Sequence, residues 1–210
     1  MVMTMLERPH LRGWSHAAAF VAAVALCPLT IVFSAGGRSV AAVYSAAVIA
    51  LFGMSAAYHR LAWGTRAEAV FQRLDHATIF VAIAATYTPV SLAVGGRSGR
   101  ALLWVVWTLA GLGAARHLVR RHPSRVVSVT LYAAVGWSAL AVIHLVWQRL
   151  GVAAFVLLLA GGMLHTLGAV VYALRWPNPW PRWFGFHEIF HLLVVGAVAL
   201  HYVVVAFFAL

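Results

Sequence analysis

Three short stretches carry the side chains that could do chemistry: SAAYH at Ser55–His59, LDHATIF at Leu74–Phe80 and FGFHEIFHLL at Phe184–Leu193. The last sets His187, Glu188 and His191 in the order H-E-x-x-H, the metalloprotease zinc signature in which one helical turn presents two imidazoles and the glutamate serves as base. Residues four apart lie on one face of a helix, so His187 and His191 can address a common atom, as can Ser55 and His59. Three neutral imidazoles with a water in the fourth position make an open tetrahedral zinc site. Asp75 on another helix can accept a hydrogen bond from that water or from a ligand imidazole and fix its orientation. Zinc lowers the pKa of its bound water toward roughly 7, so such a site produces hydroxide at neutral pH. Three imidazoles favour zinc without excluding iron or cobalt.

Membrane helices must position these groups. A chain of 210 residues that is 64% hydrophobic and 9% charged cannot hide its apolar side chains in one water-soluble core and belongs in a bilayer. The net charge of +11 comes entirely from arginine among the basic residues, placed in short loops between apolar runs. No basic stripe or recognised module accompanies it, which excludes nucleic acid as a partner. Anionic headgroups and membrane orientation account for it instead. Cys27 is the sole cysteine, so an intrachain disulfide and cysteine-based zinc are both excluded.

Apolar runs near twenty residues long predict an all-α fold, a seven-transmembrane helix bundle in a single integral membrane domain over residues 1–210. The expected helices lie at about 15–34, 40–61, 76–95, 101–119, 126–147, 152–174 and 188–209. The first is a span rather than a signal peptide, because it lacks a clear small-residue cleavage site. Arginine placement sets direction. Arg8, Arg12, Arg60, Arg66, Arg73, Arg116, Arg120, Arg121, Arg125, Arg175 and Arg182 fall on one side, against Arg38, Arg97, Arg100 and Arg149 on the other. The N-terminus is therefore expected in the cytoplasm and the C-terminus outside, in a multi-pass protein of the cell (plasma) membrane. The end of span two and the starts of spans three and seven then share the cytoplasmic side, so Ser55, His59, Asp75, His187 and His191 converge in depth. Arg175–Phe184, rich in tryptophan and proline, reads as an interfacial belt or a lid over that site.

With ERPHLRGWSH at Glu7–His16, RLDHATIFVAIAATYTPV at Arg73–Val90 and WPNPWPRWFGFHEIFHLLVV at Trp176–Val195, the chain resembles the hemolysin III family nearly end to end. That family is the bacterial branch of the progestin and adiponectin receptor family. The resemblance implies a zinc ion held by His59, His187 and His191, with Asp75 acting through the metal-bound water and Ser55 close by. It also implies kinship with alkaline ceramidases, lipid amide hydrolases. In the family the residue after the first histidine is not a ligand, which argues against Glu188 as base. On a helix Glu188 points about 100° away from His187, toward the interface or an arginine such as Arg182.

The function expected from these observations is zinc-dependent hydrolysis of a lipid acyl amide of the ceramide type at the cytoplasmic leaflet. Asp75 would steer the nucleophile and Ser55 would donate to the developing oxyanion, with membrane lipids as substrate or ligand. The alternative is a membrane-state sensor or receptor-like protein in which zinc ties spans two and seven together. An intramembrane protease lacks a third ligand after His191, since His201 sits about 15 Å deeper at 1.5 Å per residue. His16, His144, His165 and His201 within spans raise a haem site, for which helix–helix hydrogen bonding is the default reading. His201 is also a candidate for a proton or water path to the site. His76 is expected at the headgroup boundary, and His117 and His122 in the basic fourth loop. Pro89 is expected to kink span three, with Thr86 and Thr88 satisfying the freed carbonyls.

Overall fold

The computed structural model describes residues 9–34, 37–119 and 124–210. Glu7 and Arg8 of the N-terminal motif, and Arg120, Arg121 and His122 of the fourth loop, lie outside them. The described residues are helical, without strands: α1 (Trp14–Phe33), α2 (Arg38–Arg60), α3 (Thr65–Val94), α4 (Gly96–Val119), α5 (Arg125–Gly136), α6 (Ile143–Leu174) and α7 (Phe186–Val204). A 3-10 stretch, Trp137–Val142, joins α5 to α6, and a π turn, Val205–Ala209, closes α7. Six helices are long and apolar enough to cross a membrane, the fifth being the joined segment Arg125–Leu174.

At 1.5 Å per residue those 50 residues would extend about 75 Å, well over twice a hydrocarbon core of roughly 30 Å. The segment breaks at Gly151, with φ 84 and ψ 174. This region is open essentially to glycine alone, and no atom would meet a Cβ there within 4 Å. The glycine is therefore required by the backbone and not by crowding. Arg125 Nη1 lies 3.4 Å from Tyr172 O, so the two ends of the segment meet and the chain doubles back. The 3-10 stretch has its own cause. The Tyr87 hydroxyl enters the backbone ladder, donating to Gly136 O and accepting Ala139 N–H at 3.0 Å, and such insertions distort a helix locally.

The expected start of span three is corrected by eleven residues, from 76 to Thr65. Apolar windows mark where a helix meets lipid, not where its hydrogen bonds begin. Gly64 O accepts Glu68 N–H at 2.9 Å and starts the helix among charged residues. At 30 residues, α3 is about 45 Å long and exceeds the apolar thickness. Asp75 accordingly sits ten residues into the helix. The fourth span likewise starts earlier, at Gly96.

α3 runs through the middle of the bundle and enters all three packed clusters. It meets α1, α2 and α7 through Ala82, α4 and α5 through Phe80, Ala84 and Tyr87, and α6 and α7 through Val90 and Val94. Its interior helix is continuous across Pro89. Thr86 and Thr88 donate to Ala82 O and Ala84 O, both at 2.9 Å. Neither reaches Ala85 O, the carbonyl that a proline at 89 deprives of its donor, so the expected local repair is not made. Large apolar side chains such as Trp104, Leu112 and Phe207 face outward, as lipid contact requires.

Candidate metal centre

α2 ends and α7 begins on the same face of the bundle, which brings His59 beside His187 and His191. One ligand atom from each lies within 4.8 Å of the others. His187 Nε2 and His59 Nε2 are 3.3 Å apart, and the ring centroids are separated by 4.9, 5.0 and 4.4 Å for the three pairs. Zinc–nitrogen bonds of about 2.05 Å at the tetrahedral angle set two nitrogens about 3.3 Å apart; the His59–His187 pair has that spacing, and the three residues together could hold a metal ion. His191 Nδ1 is buried without a hydrogen-bond partner, a cost that coordination or a ligand would relieve. Asp75 Oδ2 stands 3.9 Å from His59 Nε2.

Ser55, one turn before His59, is buried. Its hydroxyl lies 2.8 Å from His16 Nδ1. The His16 ring also stacks on His191, with centroids 3.9 Å apart and planes at 10°. The His16 ring thereby braces both a candidate ligand and the serine. The sequence pattern alone reads His16 as a haem or helix-packing residue. The alternation of spans that aligned Ser55, Asp75 and His187 places the start of span one at the same level, so the signal that finds His16 was present.

Glu188 meets an arginine, as expected, but the partner is Arg12 and not Arg182: the carboxylate is buried and forms an ion pair with Arg12 Nε, while its Oε2 accepts Gly185 N–H at 2.7 Å. The second bond caps the first turn of α7, the turn that carries His187. Arg182 contributes its backbone instead. His10 N–H donates to Arg182 O at 3.0 Å and Leu11 N–H to Trp183 O at 3.1 Å, clipping the entry segment to the loop before α7. The tryptophans of that loop, Trp176, Trp180 and Trp183, are exposed, as the interfacial reading expects.

His117 is also corrected. It is a buried residue of α4 rather than a loop residue. It stacks with His76 at 5.3 Å and with Tyr132 at 5.9 Å. His76 is held by Gln72 O at 2.6 Å. On the other side of the triad, Arg125 lies 4.6 Å over the Tyr172 ring, which packs edge-on against His187 at 5.8 Å.

The triad, Ser55 and Asp75 line one cavity of about 1860 Å³, larger than the roughly 300–1,000 Å³ of typical small-molecule pockets. Arg12, Arg73 and Arg125 stand at its charged end, while Leu158, Val198 and His201 line its deep end. His201 Nε2 lies 3.2 Å from Leu158 O, the helix–helix contact expected of it.

A sequence model described as "Haemolysin-III related" matches residues 4–202. The chain is 33% identical to "Hemolysin-3" of Bacillus cereus over 171 residues, covering 80% of this chain and 74% of that protein. It is 31% identical to the "Hemolysin-3 homolog" of Bacillus subtilis over 140 residues, 66% of this chain and 63% of that one. It is 30% identical to "Heptahelical transmembrane protein ADIPOR2" of Oryza sativa subsp. japonica over 180 residues, 78% and 79% of the two chains. A match across nearly the whole length means that this multi-pass membrane protein belongs to the hemolysin III family, within the progestin and adiponectin receptor family.

Proposed function

We propose that this chain is a zinc-binding hydrolase that cleaves an acyl amide bond of a membrane lipid at the cytoplasmic leaflet. The observation that carries the reading is the convergence of three imidazoles from α2 and α7 on the wall of a large cavity that runs from arginines to apolar side chains. His59, His187 and His191 would hold the ion, which supplies Lewis acidity that water or a simple carboxylate cannot match near neutral pH.

The protein's own groups account for the rest. The Asp75 carboxylate, beside His59, is placed to accept a proton from an attacking water and pass it toward the leaving amine. The Ser55 hydroxyl, held by His16, is placed to donate to charge developing on the acyl oxygen. The apolar end of the cavity takes the hydrocarbon chain out of water. Counting the two arms of the Arg125–Leu174 segment separately gives seven spans, in keeping with the word heptahelical in the rice relative's name. The excess of arginine at the site's end of the bundle supports a cytoplasmic position for that end and for the N-terminus.

The test measures metal in purified wild type and His191→Ala, then fatty acid release from a panel of ceramides and phospholipids. About one zinc per chain in the wild type, a large loss in the variant and release from an amide lipid support the proposal. Equal metal in both proteins sinks the ligand assignment. Metal without release from any lipid transfers the reading to a sensor in which zinc ties α2 to α7.

A further inference from the structure

The cavity continues past the triad to a second group of polar side chains. His201 lies ten residues beyond His191 on α7, about 15 Å along the axis. His165 of α6 lines the same deep end, with the two ring centroids 5.5 Å apart. The neighbouring polar groups are already occupied. Thr166 Oγ1 accepts Trp137 Nε1–H at 2.9 Å and donates to Gly162 O at 2.8 Å, and the Thr86 hydroxyl is bonded to Ala82 O. His201 reaches Leu158 O. His165 makes no hydrogen bond among the described residues, and its imidazole lines the open cavity.

Packing alone does not explain the pair. A Cβ at Gly161 would strike the His201 ring, so α6 gives up a side chain to admit an imidazole where leucine would fill the space. Polar groups in the apolar depth of a membrane are costly unless bonded and mark functional sites by default. A neutral imidazole offers one donor and one acceptor, a match for a hydroxyl or a keto oxygen. With no opposite charge beside it, the deep end does not suit an ionised group.

Resting on the reading of the cavity as a lipid site, we infer that His165 and His201 form a second polar subsite that binds a hydroxyl or keto group carried on the hydrocarbon chain, well below the acyl bond held near the triad. The lipid class selected is one oxygenated near mid-chain. A chain without that oxygen leaves His165 unpaired. A chain oxygenated beside its carbonyl places the oxygen at the wrong depth.

The experiment uses the full chain in phosphatidylcholine nanodiscs and three ethanolamides: plain stearoyl, stearoyl hydroxylated beside the carbonyl, and stearoyl hydroxylated near mid-chain. In wild type the mid-chain compound is expected to bind about tenfold tighter than the other two, the worth of one well-made hydrogen bond. In His165→Leu the three should bind alike, with zinc content unchanged. His165→Gln, which keeps a donor and an acceptor, should recover part of the preference. Gly161→Ala, which displaces the His201 ring, should weaken it through the other wall and serves in place of His165→Leu if that variant does not fold. Equal binding of the three compounds by wild type, or a preference that survives His165→Leu, overturns the subsite. Failure of all three to bind wild type overturns the lipid reading of the cavity itself.

Discussion

The ion pair between Arg12 and Glu188 makes the sharpest prediction about how the metal centre is held. The Glu188 side chain is 3% exposed and that of Arg12 14%, so the carboxylate depends on two partners, the guanidinium and Gly185 N–H. Removing one member of a buried pair costs about 3–5 kcal/mol, because the other charge stays behind uncompensated. Arg12→Ala should fall near 3 kcal/mol, since Gly185 N–H still holds one carboxylate oxygen. For a chain of this size that is about 6–12 °C in the unfolding midpoint. Glu188→Gln should cost about half as much, since the amide oxygen still caps α7 and the partly exposed arginine can turn toward water. Arg12→Met combined with Glu188→Gln, with no charge stranded, should be more stable than Arg12→Ala. Cys27 is the sole cysteine and is 1% exposed, so a thiol-reactive dye in detergent micelles reports unfolding without engineering. A midpoint for Arg12→Ala within about 2 °C of wild type, or a double variant no better than Arg12→Ala, refutes the reasoning.

Other outcomes follow from the same geometry. His16→Ala removes both the brace on His191 and the bond to Ser55, and should weaken zinc binding about tenfold to a hundredfold in chelator competition; His16→Phe keeps the stacking surface and should lose less. Asp75→Asn should retain zinc while fatty acid release falls by about a hundredfold or more; unchanged release removes the aspartate from the mechanism. Gly151→Ala should destabilise by about 1–3 kcal/mol through backbone strain alone. Gly111→Ala, in α4 with equally open surroundings, should stabilise by up to about 1 kcal/mol, so equal effects at the two glycines would contradict the turn geometry.

Depth was legible because apolar length and arginine placement are read directly from composition. Both set His59, His187 and His191 at one level, and the folded chain brings one ligand atom of each within 4.8 Å of the others. Azimuth was less legible. Glu188 was given a direction by its 100° offset from His187, but the partner it meets, Arg12, is 176 residues away and no periodicity names it. The start of α3 was missed because hydrogen bonding continues into water where hydropathy stops. His117 falls inside the expected span 101–119, which ends where α4 does, yet its basic neighbours, Arg116 included, favour a loop reading of that last turn.

The centre joins distant parts of the chain, since His59 and His187 are 128 residues apart and Arg12 and Glu188 are 176 apart. During synthesis, the earlier spans enter the bilayer before the ribosome has made the residues that finish the centre. A product that stops short of Phe186 has one imidazole of the three and lacks the Glu188 carboxylate that pairs with Arg12. The three imidazoles are thereby together only once synthesis has passed His191, so any metal taken up there would report that α7 has been made.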